Sequence, residues 1–426
     1  MQRRLWTLAQ WAGLGLLAGL LCGSASALFL YLLFKATDLR MATAWLPWGL
    51  PLAGLAMGLV YQAWGRELMP GNNLVLDRLH EGGAQIPLRM APMVLLGTVW
   101  SHLFGASVGR EGTAVQMGAS LADSAAAWLK LDAPRRRMML AAGVAGGFGS
   151  VFGTPLAGAV FGLEVLVAGE LNYGALVPCL VASIVGDWTT RAWGIRHEAM
   201  PQVAYLPVDA GLALKWIVFA AAVAAVAWAF IELTHSIKAL SQRHLPNLPL
   251  RLAVGGALSV VLWQLMGSND FLGLSTHLIQ QALAEGPLPW WSFAAKLVFT
   301  ALVLGMGFIG GEVTPLFVIG ACLGHSLAGL LGLPLGLASG VGMAAIFAAA
   351  ANTPLAMSIM AVELLGAGAL PHVALVAVLA WLMSGKASIY SSQRHAVDAE
   401  PPEPAPVAVA ATPSSPSKPV RRRRKA

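Results

Sequence analysis

The chain has 426 residues, of which 57% are apolar and only 11% charged, with a formal net charge of +7. Soluble domains carry about 25% charged residues, so a water-soluble globule with polar faces is excluded. The positive balance is a matter of membrane orientation rather than of nucleic-acid binding.

Apolar stretches recur at 11–34, 46–64, 91–104, 212–233, 251–267, 293–309, 315–332 and 370–384. Several reach the roughly 20 residues that a helix needs to cross a bilayer. The fold expected is an all-α polytopic membrane protein. The first stretch follows Arg3 and Arg4 and stays apolar to Leu33, longer than the core of a secretory signal, so it reads as a transmembrane helix. Trp45, Trp48, Trp290 and Trp291 stand beside prolines at segment edges, where interfacial aromatic anchors belong. Basic residues cluster at Arg3–Arg4, Arg135–Arg137 and Arg421–Lys425, which places both termini on the cytoplasmic side. Cys22, Cys179 and Cys322 lie singly in apolar runs with no metal spacing or pairing pattern, so they read as packing residues. The histidines show no metal spacing either, and no role is assigned to them.

Three stretches look like helices that begin partway through the membrane: PGNNLV (70–75), GREGTAV (109–115) and GGEVTPLF (310–317). Non-helical backbone at that depth must be buried in protein or line a cavity. The N-terminus of such a half-helix offers free N–H groups and the positive end of its dipole, an anion site made without formal charge. In the second stretch Arg110 and Glu111 sit side by side between Gly109 and Gly112. Ionisable groups at membrane depth are functional by default.

The chain also repeats itself. AGGFGSVFGTPLAGAVFGLEVL (145–166) matches AAIFAAAANTPLAMSIMAVELL (344–365), with Pro155 facing Pro354 at an offset of 199 and Glu164 facing Glu363. Upstream, GREGTAVQMGASL (109–121) faces GEVTPLFVIGACL (311–323) at an offset of 202. The halves run from about 10 to 200 and from 209 to 392, joined by a polar loop at 191–208. Transporters are often built from such repeats, with the substrate site between them. Symmetric placement gives Glu164 and Glu363 a structural role, bonding loop N–H groups. Residues 1–395 make one transmembrane domain, and 396–426, rich in Pro, Ala and Ser with a basic end, read as a disordered cytoplasmic tail touching anionic lipid.

These motifs resemble the CLC family of anion channels and proton-coupled anion antiporters. GREGTAVQMG is similar to the family's Gly-Arg-Glu-Gly-Pro helix start, and GGEVTP falls where the family has Gly-Gly-x-x-x-Pro. GMAAIFAAAANTPLAMSIMAVELL and SGKASIYS follow in family order. Chloride-handling members carry Gly-Ser-Gly-x-Pro at the first motif; here Gly71, Asn72, Asn73, Leu74 and Val75 stand there. Thr113 replaces the usual proline, and Glu312, Val313 and Thr314 precede Pro315. That combination resembles the bacterial fluoride-exporting branch. Val165 occupies the place of a second, internal glutamate of many chloride/proton members, so their inner proton route does not carry over.

The resemblance implies an inverted repeat of two halves, a homodimer with a pathway in each subunit, and a bacterial inner-membrane location. It implies no organic cofactor and no essential metal, and fluoride and protons are the expected transported ions. Glu111 is the expected gate. Burial opposes its ionised form while the helix dipole and Arg110 favour it, so one side chain can mimic the anion and carry the proton. Gly71, Asn72, Asn73, Gly109, Arg110, Gly112, Thr113, Val313, Thr314 and Tyr390 are the expected anion-binding set, with Glu312 a possible second coupling group. Asn72 and Asn73 also suit helix capping, and Tyr390 an interfacial anchor. Chloride/proton antiport and a passive channel are the alternatives within transport. GASVG (105–109) matches Gly-x-Ser-x-Gly, which keeps an intramembrane serine protease as a remote alternative; no enzyme activity is expected.

The tail cannot bury enough surface to offset about 1–2 kcal/mol of ordering entropy per residue. A chain truncated after Val397 is therefore expected to insert and to transport at close to the full rate. A truncated protein that elutes as folded in size-exclusion chromatography yet carries no flux would give the tail a role in transport.

Overall fold

The computed structural model describes residues 2–396; the tail expectation, from residue 397 on, lies outside the described residues. Sixteen α-helices are present among them. The first eight are α1 (Gln2–Ala42), α2 (Leu50–Trp64), α3 (Asn72–Glu81), α4 (Met90–Leu103), α5 (Glu111–Trp128), α6 (Ala133–Phe152), α7 (Pro155–Glu164) and α8 (Leu176–Ala192). The second eight are α9 (Ala210–His244), α10 (Leu248–Met266), α11 (Thr276–Leu283), α12 (Ser292–Met306), α13 (Val313–Leu331), α14 (Leu335–Ala351), α15 (Pro354–Leu365) and α16 (Leu370–Ser384). The two series pack alike. α8 gathers α1, α6 and α7, while α16 gathers α9, α14 and α15.

Five helices are long and apolar enough to cross a bilayer: Leu5–Ala42, Ala210–His244, Leu248–Met266, Val313–Leu331 and Ala367–Ser384. Others are apolar but short. α4 has 14 residues, which at 1.5 Å per residue span about 21 Å of a hydrocarbon core of about 30 Å. Such helices must start or stop within the membrane, and their ends need partners there.

Close helix crossings hold each half together. Gly118 of α5 meets the Gly143 carbonyl of α6, and Gly147 meets the Ala114 carbonyl. The second half repeats this: Gly320 of α13 meets the Gly342 carbonyl of α14, and Gly324 meets that of Ala338. A methyl group at any of these glycines would collide with backbone. Without a hydrophobic drive between helices in lipid, small residues that let backbones approach are what bring them together. This explains why α6 is absent from the apolar stretches read in the sequence. Its run of Ala and Gly is weakly hydrophobic, yet residues 139–152 are buried in protein.

Glu164 and Glu363 join the halves. Glu164 ends α7, and its carboxylate accepts the Leu355 and Ala356 N–H groups at the start of α15, at 2.9 and 2.7 Å. Glu363, near the end of α15, accepts those of Leu156 and Ala157 at the start of α7, at 2.9 and 2.8 Å. Each half-helix is thus capped by the other's glutamate, in the structural role expected from their symmetry. Proline at the first position of both helices removes one N–H, and the carboxylate takes the next two.

The strands found are a two-residue parallel pair, Val167–Ala168 with Arg394–His395. It ties the segment after α16 back to the end of α7.

Candidate functional site

The three half-helix starts read in the sequence are all helix N-termini: α3 begins at Asn72, α5 at Glu111 and α13 at Val313. Two of them are held together by backbone. The Gly109 N–H donates to the Gly311 carbonyl at 2.5 Å and the Gly311 N–H to the Gly109 carbonyl at 2.9 Å. Glycine is required at this bridge: a methyl on Gly109 would lie 2.8 Å from Pro315 Cδ, and one on Gly311 would lie 2.8 Å from the Gly112 nitrogen. The N-termini of α5 and α13 therefore converge, each with unshared N–H groups in its first turn. In α5 the first intrahelical-type bond is that of Ala114 N–H to the Arg110 carbonyl, which leaves the N–H groups of Glu111, Gly112 and Thr113 at the open end.

Glu111 begins one of these helices and binds the other. Its side chain is wholly buried. Oε2 accepts the Thr314 N–H at 3.0 Å and the Thr314 hydroxyl at 2.5 Å, while the Arg110 Nε donates to Oε1 at 3.3 Å. A carboxylate thus lies at the N-terminus of α13. Pro315 has no N–H, so Val313 and Thr314 are the backbone donors of that turn, and Glu111 has one of them.

Glu312, the residue before α13, brings a second, half-buried carboxyl to the same place. Asn72 Nδ2 donates to its Oε1 at 3.3 Å, and Tyr390 lines the same cavity as Glu312. The Asn72 amide lies over the first turn of α5, 3.0 Å from where a methyl on Gly112 would be. Its buried Oδ1 has no partner.

Two expectations need correction. Asn72 and Asn73 do not cap their own helix: Gly71 is the cap residue, with φ +61°, and no side chain bonds the first turn. The Asn73 Oδ1 instead accepts the Ser392 N–H at 3.0 Å, so its oxygen positions the segment that carries Tyr390. The Thr113 hydroxyl pairs with the Thr98 hydroxyl of α4 at 2.7 Å. Tyr390 is buried in the protein, which places it at the site rather than at the membrane surface. The Ser107 hydroxyl bonds that of Thr300 at 2.9 Å, a neighbour that is not an imidazole.

A cavity of about 720 Å³ leads to the site and is lined by Gly71, Asn72, Asn73, Glu312 and Tyr390. Arg66, Lys238 and Arg251 also line it, with Asp77 and His235. Basic walls of low dielectric focus a positive field and concentrate anions. Glu111 does not line this cavity; its carboxylate is bonded to Thr314.

Sequence reading missed two residues. Gln116, one turn and a half into α5, lines the cavity and lies beside Gly71. Gln393 locks the Tyr390 segment: its Nε2 donates to the Val165 and Ala351 carbonyls, both at 2.9 Å, and its Oε1 accepts from Asn352 and Ser388. A polar residue three positions after Tyr390 was the one signal available.

Convergent half-helix N-termini, a buried carboxylate lying across them and a basic cavity leading inward define an anion-transport protein of the membrane. The chain matches the family described as "Voltage gated chloride channel" over residues 53–385, and it belongs to that family, the CLC proteins. It is 47% identical over 398 residues to the "Chloride/fluoride channel protein" of Pseudomonas syringae pv. tomato, covering 91% of this chain and 87% of that protein. The crystal structure of a CLC-type fluoride/proton antiporter superposes with a TM-score of 0.89 at 33% identity, covering 92% of this chain and 99% of that one. A slow cyanobacterial Cl−/H+ antiporter shares the fold, with a TM-score of 0.74 at 19% identity over 90% of this chain and 96% of that one.

Proposed function

We propose that the chain exports fluoride in exchange for protons that enter through Glu111. The observation that carries this reading is the Glu111 carboxylate bound at Thr314, on the N-terminus of the opposite half. An ionised Glu111 competes with the anion for those donors. A protonated one gives up most of its hold on them, and a fluoride ion arriving through the basic cavity takes its place. Release of the proton inward restores the carboxylate and expels the anion outward. Proton and anion then move in opposite directions because they compete for one location.

Fluoride is small and a strong hydrogen-bond acceptor, and it needs compact donors to replace its water. Asn72 stands where chloride handlers carry serine and points its amide into the site. The 47% relative is named for chloride and fluoride, and the structure at TM-score 0.89 is titled a fluoride/proton antiporter. Inward of Glu111, with Val165 in the place of an internal glutamate, Glu312 is the carboxyl that can take the proton onward, through its contact with Asn72. The protein acts as a homodimer in a bacterial inner membrane, both termini cytoplasmic, with a complete pathway in each subunit.

Proteoliposomes loaded with potassium fluoride, followed with fluoride and pH electrodes together, test the reading. Fluoride efflux is expected to drive protons inward against their gradient, and chloride in the same assay to move far more slowly. Fluoride flux that carries no protons would make the protein a passive channel. Equal chloride flux with protons would make it a chloride antiporter.

Selectivity is checked at Asn72. In Asn72→Ser the shorter side chain cannot reach Glu312 and leaves more room over Gly112. The ratio of fluoride to chloride transport should fall about tenfold, the scale of one lost hydrogen bond. An unchanged ratio would place selectivity at other residues.

A further inference from the structure

Gln116 of α5 is 8% exposed and lines the 720 Å³ cavity. Among the described residues none is hydrogen-bonded to its side-chain amide. A primary amide carries two donors and an acceptor, and leaving them unsatisfied in a buried place is unfavourable. The partner of this amide must therefore come from the cavity.

Gln116 follows Gly112 by four residues, so both lie on one face of α5, about 6 Å apart along its axis. The start of α3 rests on that face. Asn72 Nδ2 lies 3.0 Å from where a methyl on Gly112 would be, and Gln116 Nε2 lies 3.3 Å from where one on Gly71 would be. Gly71 has φ +61°, a conformation that suits glycine, and its missing side chain leaves the Gln116 amide against the backbone entering α3. In that turn the Asn73 and Leu74 N–H groups bond the Pro70 and Gly71 carbonyls at 3.2 and 3.1 Å. The Asn72 N–H, in the peptide that follows Gly71, closes no such turn.

The chemistry of the place favours an anion. A helix start attracts negative charge, and Arg66, Lys238 and Arg251 outnumber the carboxyls of Asp77 and Glu312 in the cavity wall. An uncharged amide adds a donor without adding charge. It can bind an ion firmly enough to admit it and weakly enough to pass it on. Gln116, Gly71 and Asn72 line the cavity while Glu111 does not. Five residues, about 7.5 Å of helix axis, separate Gln116 from Glu111. An ion from the cavity therefore meets Gln116 before it meets the donors that Glu111 holds.

We propose that Gln116 is a ligand of the transported ion. Its Nε2 and the Asn72 N–H hold one fluoride ion, partly stripped of water, one step before the gate. The identity of the ion rests on the function proposed above; the use of Gln116 as a donor does not depend on proton coupling.

Fluoride binding is measured by calorimetry on the purified full-length chain, at fixed pH and without a gradient, so that coupling plays no part. Sodium fluoride is expected to bind Gln116→Leu about tenfold more weakly than the unaltered chain, the scale of one lost hydrogen bond. In proteoliposomes the same variant should need about ten times more fluoride for half-maximal flux, with an unchanged number of protons moved per fluoride. A side chain that only packs α3 against α5 would lower the melting temperature and the maximal flux and leave the affinity as it was. Unchanged affinity in Gln116→Leu would mean that water alone meets the amide, and it overturns the site. Should the leucine variant not fold, Gln116→Met, unbranched and also without a donor, is read in the same way. Fluoride flux without protons in the unaltered chain would sink the antiport reading, while a weakened affinity in the variant would still uphold this site.

Discussion

In Glu111→Gln, proton movement coupled to fluoride is expected to vanish, falling on the order of a hundredfold or more as for loss of a positioned acid–base group. The carboxamide is nearly isosteric and can still accept the Thr314 N–H, so the fold and the Gly109–Gly311 bridge should survive. What it lacks is a charge that can be gained and lost. The variant resembles the protonated gate permanently, and the donors of α13 stay open to the anion. Fluoride should then pass down its gradient while the pH electrode records nothing. Uphill proton uptake that persists in this variant would remove Glu111 from the mechanism and leave Glu312 as the coupling carboxyl.

Loss of a reciprocal cap should have the largest effect on stability. Glu164→Ala removes the acceptor of two N–H groups at the start of α15, in a place where water cannot replace it. Hydrogen bonds to charged groups contribute about 1.5–3 kcal/mol each, so the cost is about 3 kcal/mol or more. That corresponds to a fall of roughly 3–7 °C in melting temperature, read by size-exclusion chromatography after heating. Glu164→Gln keeps one oxygen and should fall between the two. Its proton-to-fluoride ratio should match that of the unaltered chain. A changed ratio at unchanged stability would place Glu164 in the proton path instead of the scaffold.

Local features of the sequence were enough to locate the half-helix starts. Asn72, Glu111 and Val313 begin helices because Gly71, Gly109 and Gly311 each precede them and the apolar period starts there. The symmetric glutamates were legible for the same reason, as both copies of the repeat carry Glu nine residues after the proline. Partners were not legible. Thr113 could as well have faced the anion as Thr98, and only the packing of α4 against α5 decides. Asn73 gives its oxygen to Ser392, 319 residues away, and Gln393 reaches Val165 across 228.

The exchange of caps between α7 and α15 also fixes an order in time. The start of α7 leaves the ribosome 206 residues before Glu363, which closes it. At synthesis rates of about 5–20 residues per second, the delay is roughly 10–40 s. During that interval the amide groups of Leu156 and Ala157 have no acceptor of their own, and the Glu164 carboxylate has no helix to close. Insertion of the first half therefore cannot be a finished event. The nascent chain must hold α7 near water, at the interface or within the insertion machinery, until α15 emerges. Both helices then settle in one step, and the second half completes the first.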